Sequence, residues 1–195
     1  MTYLRYKELH HVAKHIDRLI DANLDSAGGS FIPQEQLQAA VIKNYPDFYT
    51  VSQGWHKTVF ANRLIDHTVV LKVGPHKSIE NDHHVYKSLP HAKRHRLLAR
   101  IYWHTKYCLL QEFGLPTKVS AEQLTLIRRE VNKYGIFDVK AENLRSINGQ
   151  IKIIDANVTR LPLPVVLRKI DEVKPKIPKK LNAFIKQLTK RFYEK

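Results

Sequence analysis

The hydrophobic pattern changes period once, near residue 46, and that change most constrains the fold. Before it, Leu4, Leu9, Val12, Ile16, Leu19 and Ile20 recur at mostly three- and four-residue intervals over residues 3–24, which makes one apolar stripe along a helix. SAGGS ends that helix. A second is predicted from Pro33, a residue suited to a first helical turn, through Leu37, Ala40 and Val41 to the break at Asn44 to Pro46. From Asp47 onward, FYTVSQGW, TVFANRLI and HTVVLKVG are rich in β-branched and aromatic residues and are separated by turn-prone ones. That composition predicts three sequential short strands in an antiparallel meander.

Beyond Gly74-Pro75, KSIENDHHVYKSL places Ile79, Asp82, Tyr86 and Leu89 on one helical face, and Pro90 follows at once. One short helix with an inward acidic residue is expected. ARIYWHT and YCLLQEF read as two further strands, and Gly114-Leu115-Pro116 as a break. A helix from about Ser120 to Tyr134 should open on a Ser120–Gln123 capping box. NLRSI and QIKIIDA flank Asn148-Gly149, a pair that favours a type I′ turn because both positions need positive φ. Asp155 therefore falls at a strand end. Helical segments at 164–171 and 179–194 close the chain, with the Pro175 to Pro178 stretch between them. These elements predict an α+β fold with a helical pair over residues 1–46, a sheet-bearing unit over 47–113 and a remainder over 114–195.

The 195 residues carry a formal charge of +15, a field that attracts phosphate groups in nucleotides, nucleic acids or lipid headgroups. It names a class of partner and no chemistry. One cysteine, Cys108, excludes an intramolecular disulfide framework and a Cys-rich zinc site. The eleven histidines, including the His10, His11, His15 group and the His83-His84 pair, then read as surface and packing residues. No apolar run approaches the roughly 20 residues that span a bilayer, and the first residues are too charged for a secretory signal, so a cytoplasmic location is expected.

The segment GIFDVKAENLRSINGQIKIIDAN concentrates the chemistry. A loop presents Asp138, Lys140 and Asn143 just before the hairpin whose second strand delivers Asp155. A hard divalent cation such as Mg2+ prefers oxygen ligands and keeps several waters, so Asp155 and Asn143 are candidate ligands alongside nucleotide phosphates. Phosphoryl transfer needs little covalent help. It needs a hydroxyl aligned with the phosphate and developing charge neutralised. Asp138 suits the first task and Lys140 the second.

The order D-x-K-x-x-N, a short hairpin, then I-I-D resembles the catalytic and metal-binding loops of the protein kinase superfamily. The resemblance runs over about residues 48–165 and is nearest to small bacterial kinase-like proteins, including the YrbL family and the lipopolysaccharide-core sugar kinases, with RIO kinases as a further comparison. It implies a kinase-like fold: a small antiparallel five-stranded N-lobe with one helix, and a reduced helical C-lobe. It further implies that Lys72 in TVVLKVG contacts nucleotide phosphates and that Asp82 is its acidic partner, ahead of Glu80. Gly54 stands where the family has its glycine-rich loop, with Trp55 beside it. Glu112 and Phe113 in QEFG match the hinge whose backbone groups bond adenine.

Three features depart from the family pattern. Asp155-Ala156-Asn157 stands in place of Asp-Phe-Gly, Ile136-Phe137 replaces the histidine-containing lead-in, and forty residues follow Asp155. These are too few for an activation segment and a full peptide-docking lobe. The resulting expectation is an ATP- and Mg2+- or Mn2+-dependent phosphotransferase acting on a hydroxyl of a small molecule, a protein or itself. The competing expectations are a nucleotide-binding pseudokinase and a basic module that binds RNA or another polyanion.

Overall fold

A computed structural model describes residues 2–26, 31–54, 56–65 and 68–158. In chain order the elements are α1 (Thr2–Ser26), α2 (Gln34–Asn44), β1 (Phe48–Gln53), β2 (Thr58–Asn62), β3 (Val69–Val73), α3 (His76–Ser88) and α4 (His91–Leu97). There follow β4 (Ile101–His104), β5 (Cys108–Glu112), β6 (Leu115–Pro116), α5 (Ala121–Asn132), β7 (Ile136–Phe137), β8 (Leu144–Ile147), β9 (Gln150–Ile153) and β10 (Asn157–Val158). The helical expectations for 164–171 and 179–194, and the reading of Trp55, lie outside the described residues.

The fold is α+β and is built on a five-stranded antiparallel sheet of order β1-β2-β3-β5-β4. The first three strands form the expected meander. β5 then inserts between β3 and β4, and its register sets Lys72 opposite Leu109 and Val70 opposite Gln111. One difference concerns the helix predicted between β3 and β4, which is two helices. Pro90 ends α3 and, at φ −56° and ψ 149°, also precedes the first residue of α4. A proline that cannot continue one helix is pre-set for the first turn of the next.

Strand alternation divides the interior into two cores. On one face, Phe60, Leu71, Val73, Cys108 and Leu110 pack with Leu9, Ala13, Ile16 and Ile20 of α1. The stripe read from the sequence thus buries against the sheet, and Asp17 fixes it by accepting hydrogen bonds from the backbone N–H groups of Lys106 and Tyr107. On the other face, Leu109 packs with Ile79, Val85, Tyr86 and Leu89 of α3 and with Val131, Ile136, Leu144 and Ile153. Each large aliphatic side chain buried there contributes about 1.5–3 kcal/mol. Val70, Lys72, Leu109 and Gln111 therefore face α3 and the chain beyond residue 114.

Among the described residues that later part holds one α-helix, a three-stranded sheet of order β6-β8-β9 and the β7-β10 pair. Ser120 and Gln123 form the reciprocal capping box at the start of α5. Asn148 and Gly149 take φ of 51° and 74° in the tight turn joining β8 and β9. The hairpin docks under the sheet through Ala99, whose N–H donates to Ile153 O at 2.9 Å, and through Lys152, whose ammonium lies 3.1 Å from Glu112. Among the described residues no helix is long and apolar enough to cross a membrane.

Candidate active site

The centre of the site is a four-membered ion cluster. Lys72 projects from the middle of β3 and is almost fully buried, because both neighbouring strands and α3 cover it. Its Nζ donates to Ile154 O at 2.6 Å and lies 3.3 Å from Asp82 Oδ2. Asp82, on the inward face of α3, is also buried. Glu80 is only partly buried and lies near His76 instead. The structure thus brings the strand lysine and the inward helix carboxylate together.

A second lysine completes the cluster. Lys57 donates to both oxygens of Asp82 at 2.8 and 2.9 Å and to Asp155 Oδ1 at 2.9 Å. Two ammonium groups and two carboxylates therefore meet where β2, β3, α3 and the end of β9 converge. Sequence reasoning did not single out Lys57. Its place three residues after Gly54 was the only available signal. The Gly54 N–H donates to Lys57 O at 2.9 Å, which closes the turn that aims this lysine inward. Gly54 O in turn accepts from Gln34 Nε2 at 2.7 Å.

Burial and pairing act against each other in this cluster. For Lys57, burial lowers the pKa, but the charges of Asp82 and Asp155 outweigh it and hold the group above the ordinary lysine range. For Lys72, burial dominates and, helped by the Lys57 charge, moves its pKa down despite Asp82. Asp155 lies below the ordinary carboxylate range, since Lys72 and Lys57 together exceed the opposing effect of burial. Its side chain keeps 40% of its surface open, so one side of the carboxylate remains reachable.

Asp138, Lys140 and Asn143 lie on the adjoining loop. Asp138 adopts φ 60°, a left-handed conformation uncommon for a residue with a side chain. Its Oδ2 accepts from Asn157 Nδ2 at 3.1 Å, and Lys140 Nζ lies 3.6 Å from its Oδ1. The pairing of β7 with β10 sets Phe137 opposite Asn157, which brings the start of the Asp138 loop beside the segment that carries Asp155. Asn143 ends a single 3-10 turn, and its carbonyl accepts from Ile154 N–H at 2.9 Å. That bond carries residue 143 up to the neighbour of Asp155. Asn81 and Asn157 were also missed: Asn81 Nδ2 donates to Ala156 O at 2.9 Å and to Asn157 Oδ1 at 3.3 Å.

A cleft of about 220 Å3 lies between the sheet and the hairpin, bounded by Val59, Val70, Lys72, Gln111, Phe113 and Ile154. Glu112 and Phe113 are on its wall, but their backbone N–H groups are engaged, Glu112 with Arg100 O at 2.8 Å and Phe113 with Thr68 O at 2.6 Å. The Glu112 carboxylate accepts from Arg100 N–H and from Lys152. No family model matches this chain, and no curated protein is significantly similar to it.

The donor set suits a hard cation only in part. Asp155 offers a carboxylate and Asn143 a carboxamide, both oxygen donors. Among the described residues no group of three His, Cys, Asp or Glu side chains is placed to hold a metal by itself. A cation at Asp155 would therefore need further oxygen donors, from water or a bound ligand, to fill its coordination.

Proposed function

We propose that the chain is an ATP- and Mg2+-dependent phosphotransferase of protein-kinase-like fold that transfers the γ-phosphoryl group to a hydroxyl. The observation that carries this reading is the convergence of Lys72, Asp82 and Asp155 beside a cleft between the sheet and the hairpin. The strand order, with α3 following β3, supports it further.

In this reading Lys72 is held by Asp82 against the cleft and meets nucleotide phosphates, while Lys57 supplies a second positive charge from the turn after Gly54. That charge stands in for the backbone amides a longer glycine-rich loop would offer. Asp155 and Asn143 hold Mg2+, which neutralises charge on the phosphates. Asp138 accepts the proton of the acceptor hydroxyl as its oxygen bonds to the γ-phosphorus; the bond to the β-phosphate oxygen breaks and ADP leaves with that electron pair. Lys140, half-exposed beside Asp138, screens the charge that builds on the transferred group. The setting is the cytoplasm.

Measuring ATP hydrolysis and phosphate incorporation with Mg2+ or Mn2+ tests the reading. Wild type should turn over, and Asp138→Ala and Asp155→Ala should lose most of the rate. Equal residual signals in all three proteins would sink it. A second reading, nucleotide binding without turnover, is favoured by one contact: Lys57 occupies Asp155 Oδ1, one of the two carboxylate oxygens a metal could use. Nucleotide affinity with no phosphate release in any protein would select it.

A further inference from the structure

Gln111 is a buried side chain that the proposed reaction does not use. It stands on β5 opposite Val70, is 5% exposed, and its Oε1 has no hydrogen-bond partner. A buried carbonyl without a donor is costly to maintain, and native structures rarely keep one without a reason. The residue lines both the cleft and an inner void of about 10 Å3 shared with Asp82, Tyr86 and Ile153. That void is at the lower limit for a single water.

We infer that Gln111 reads the base of the bound nucleotide and selects adenine. This rests on the nucleotide site proposed above and adds the group that recognises the base. Two observations lead to it. The N–H groups of Glu112 and Phe113, which would otherwise be the donors on this wall, are spent on Arg100 and Thr68. The unpartnered atom of this cleft-lining side chain is an acceptor, and the adenine exocyclic amine is a donor. A glutamine amide accepts from that amine while its own NH2 donates to a purine ring nitrogen, a bidentate match specific to adenine. Gln111 also stands two residues along the paired strands from Lys72, about 7 Å. The base-reading and phosphate-meeting groups thus lie at separate points of one cleft wall.

The test is calorimetric binding of ATP, GTP and purine riboside 5′-triphosphate, which lacks the amine, to the full chain and to Gln111→Leu and Gln111→Met. Wild type should bind ATP about tenfold more tightly than either competitor. Both variants should reduce that preference to within about twofold and melt no lower than wild type, because they remove an unpaired buried carbonyl. The melting measurement identifies a variant that fails to fold, and the wild-type preference is a test that needs no variant. Equal wild-type affinities for ATP and the amine-free analogue would overturn the inference while leaving the nucleotide site standing. So would a preference that survives in a folded variant. Lower melting with unchanged preference would assign Oε1 to a water in the inner void and also overturn it. Absence of binding by any of the three nucleotides would remove the site and the inference together.

Discussion

The ammonium of Lys57 lies 2.8 and 2.9 Å from the two carboxylate oxygens of Asp82, although the two residues stand on different elements. Asp82 is thereby shared between two lysines, since Lys72 approaches the same carboxylate at 3.3 Å. Removing it leaves two cations in a largely water-excluded space with only the half-open Asp155 as counter-charge. Asp82→Ala should therefore lower unfolding stability by about 3 kcal/mol, within the range for breaking a buried pair. Urea titration measures this. Glu80→Ala, two residues away but outside the buried cluster, should change stability by less than about 0.5 kcal/mol.

Lys57 holds Asp155 as well as Asp82, so its removal should act in two directions. Lys57→Met takes away a positive charge that would meet phosphate and also frees Asp155 Oδ1. The KM for ATP should rise about tenfold, equivalent to about 1.4 kcal/mol. The Mn2+ or Mg2+ concentration for half-maximal rate should fall. Steady-state kinetics across a metal titration reads both, and an unchanged metal requirement would count against competition at Asp155.

Gly74 sets the position of that lysine. A Cβ built at residue 74 would stand 2.5 Å from His56 O and 2.8 Å from Lys57 Cγ. Gly74→Ala should push the 56–57 segment off the end of β3, costing about 1–3 kcal/mol as an overpacking change. Its ATP KM should shift in the same sense as that of Lys57→Met. Gly54→Ala meets only Lys57 O at 3.6 Å, an ordinary contact, and should be far milder in the same melting and kinetic assays.

His83 gives stability a pH dependence. Burial, followed by the neighbouring His104, whose ring centroid is 4.1 Å away, lowers its pKa from 6.5 to about 4, with Lys87, His84 and Arg94 adding smaller effects in the same sense. Between those values the unfolded chain binds the proton more readily than the folded chain. The contribution is complete above about pH 6.5 and is lost as the pH falls toward about 4. Thermal melting should follow that slope, and His83→Phe should flatten it.

Local features of this chain were legible because their physics is local. The periods of α1 and β1 to β3, the Ser120–Gln123 cap and the Asn148-Gly149 turn each depend on residues within a few positions of one another. The pairing of Lys72 with Asp82 was implied by the family resemblance, and the inward helical face shared with Ile79 and Tyr86 favoured Asp82 over Glu80. The second helix after Pro90 was not legible, because a proline marks a break without saying what begins beyond it.

The sequence by itself determined the helical pair, the meander, the hairpin and the residues Asp138, Lys140, Asn143 and Asp155 as one local group. Only the tertiary structure decided that α1 covers one face of the sheet, that β5 inserts beside β3, that Lys57 bridges Asp82 and Asp155, and that Gln111 is left with an unpartnered oxygen. Lys57 and Asp155 are 98 positions apart. Burial and charge pairing at that separation depend on how the two cores close around the sheet, and no short-range pattern records it.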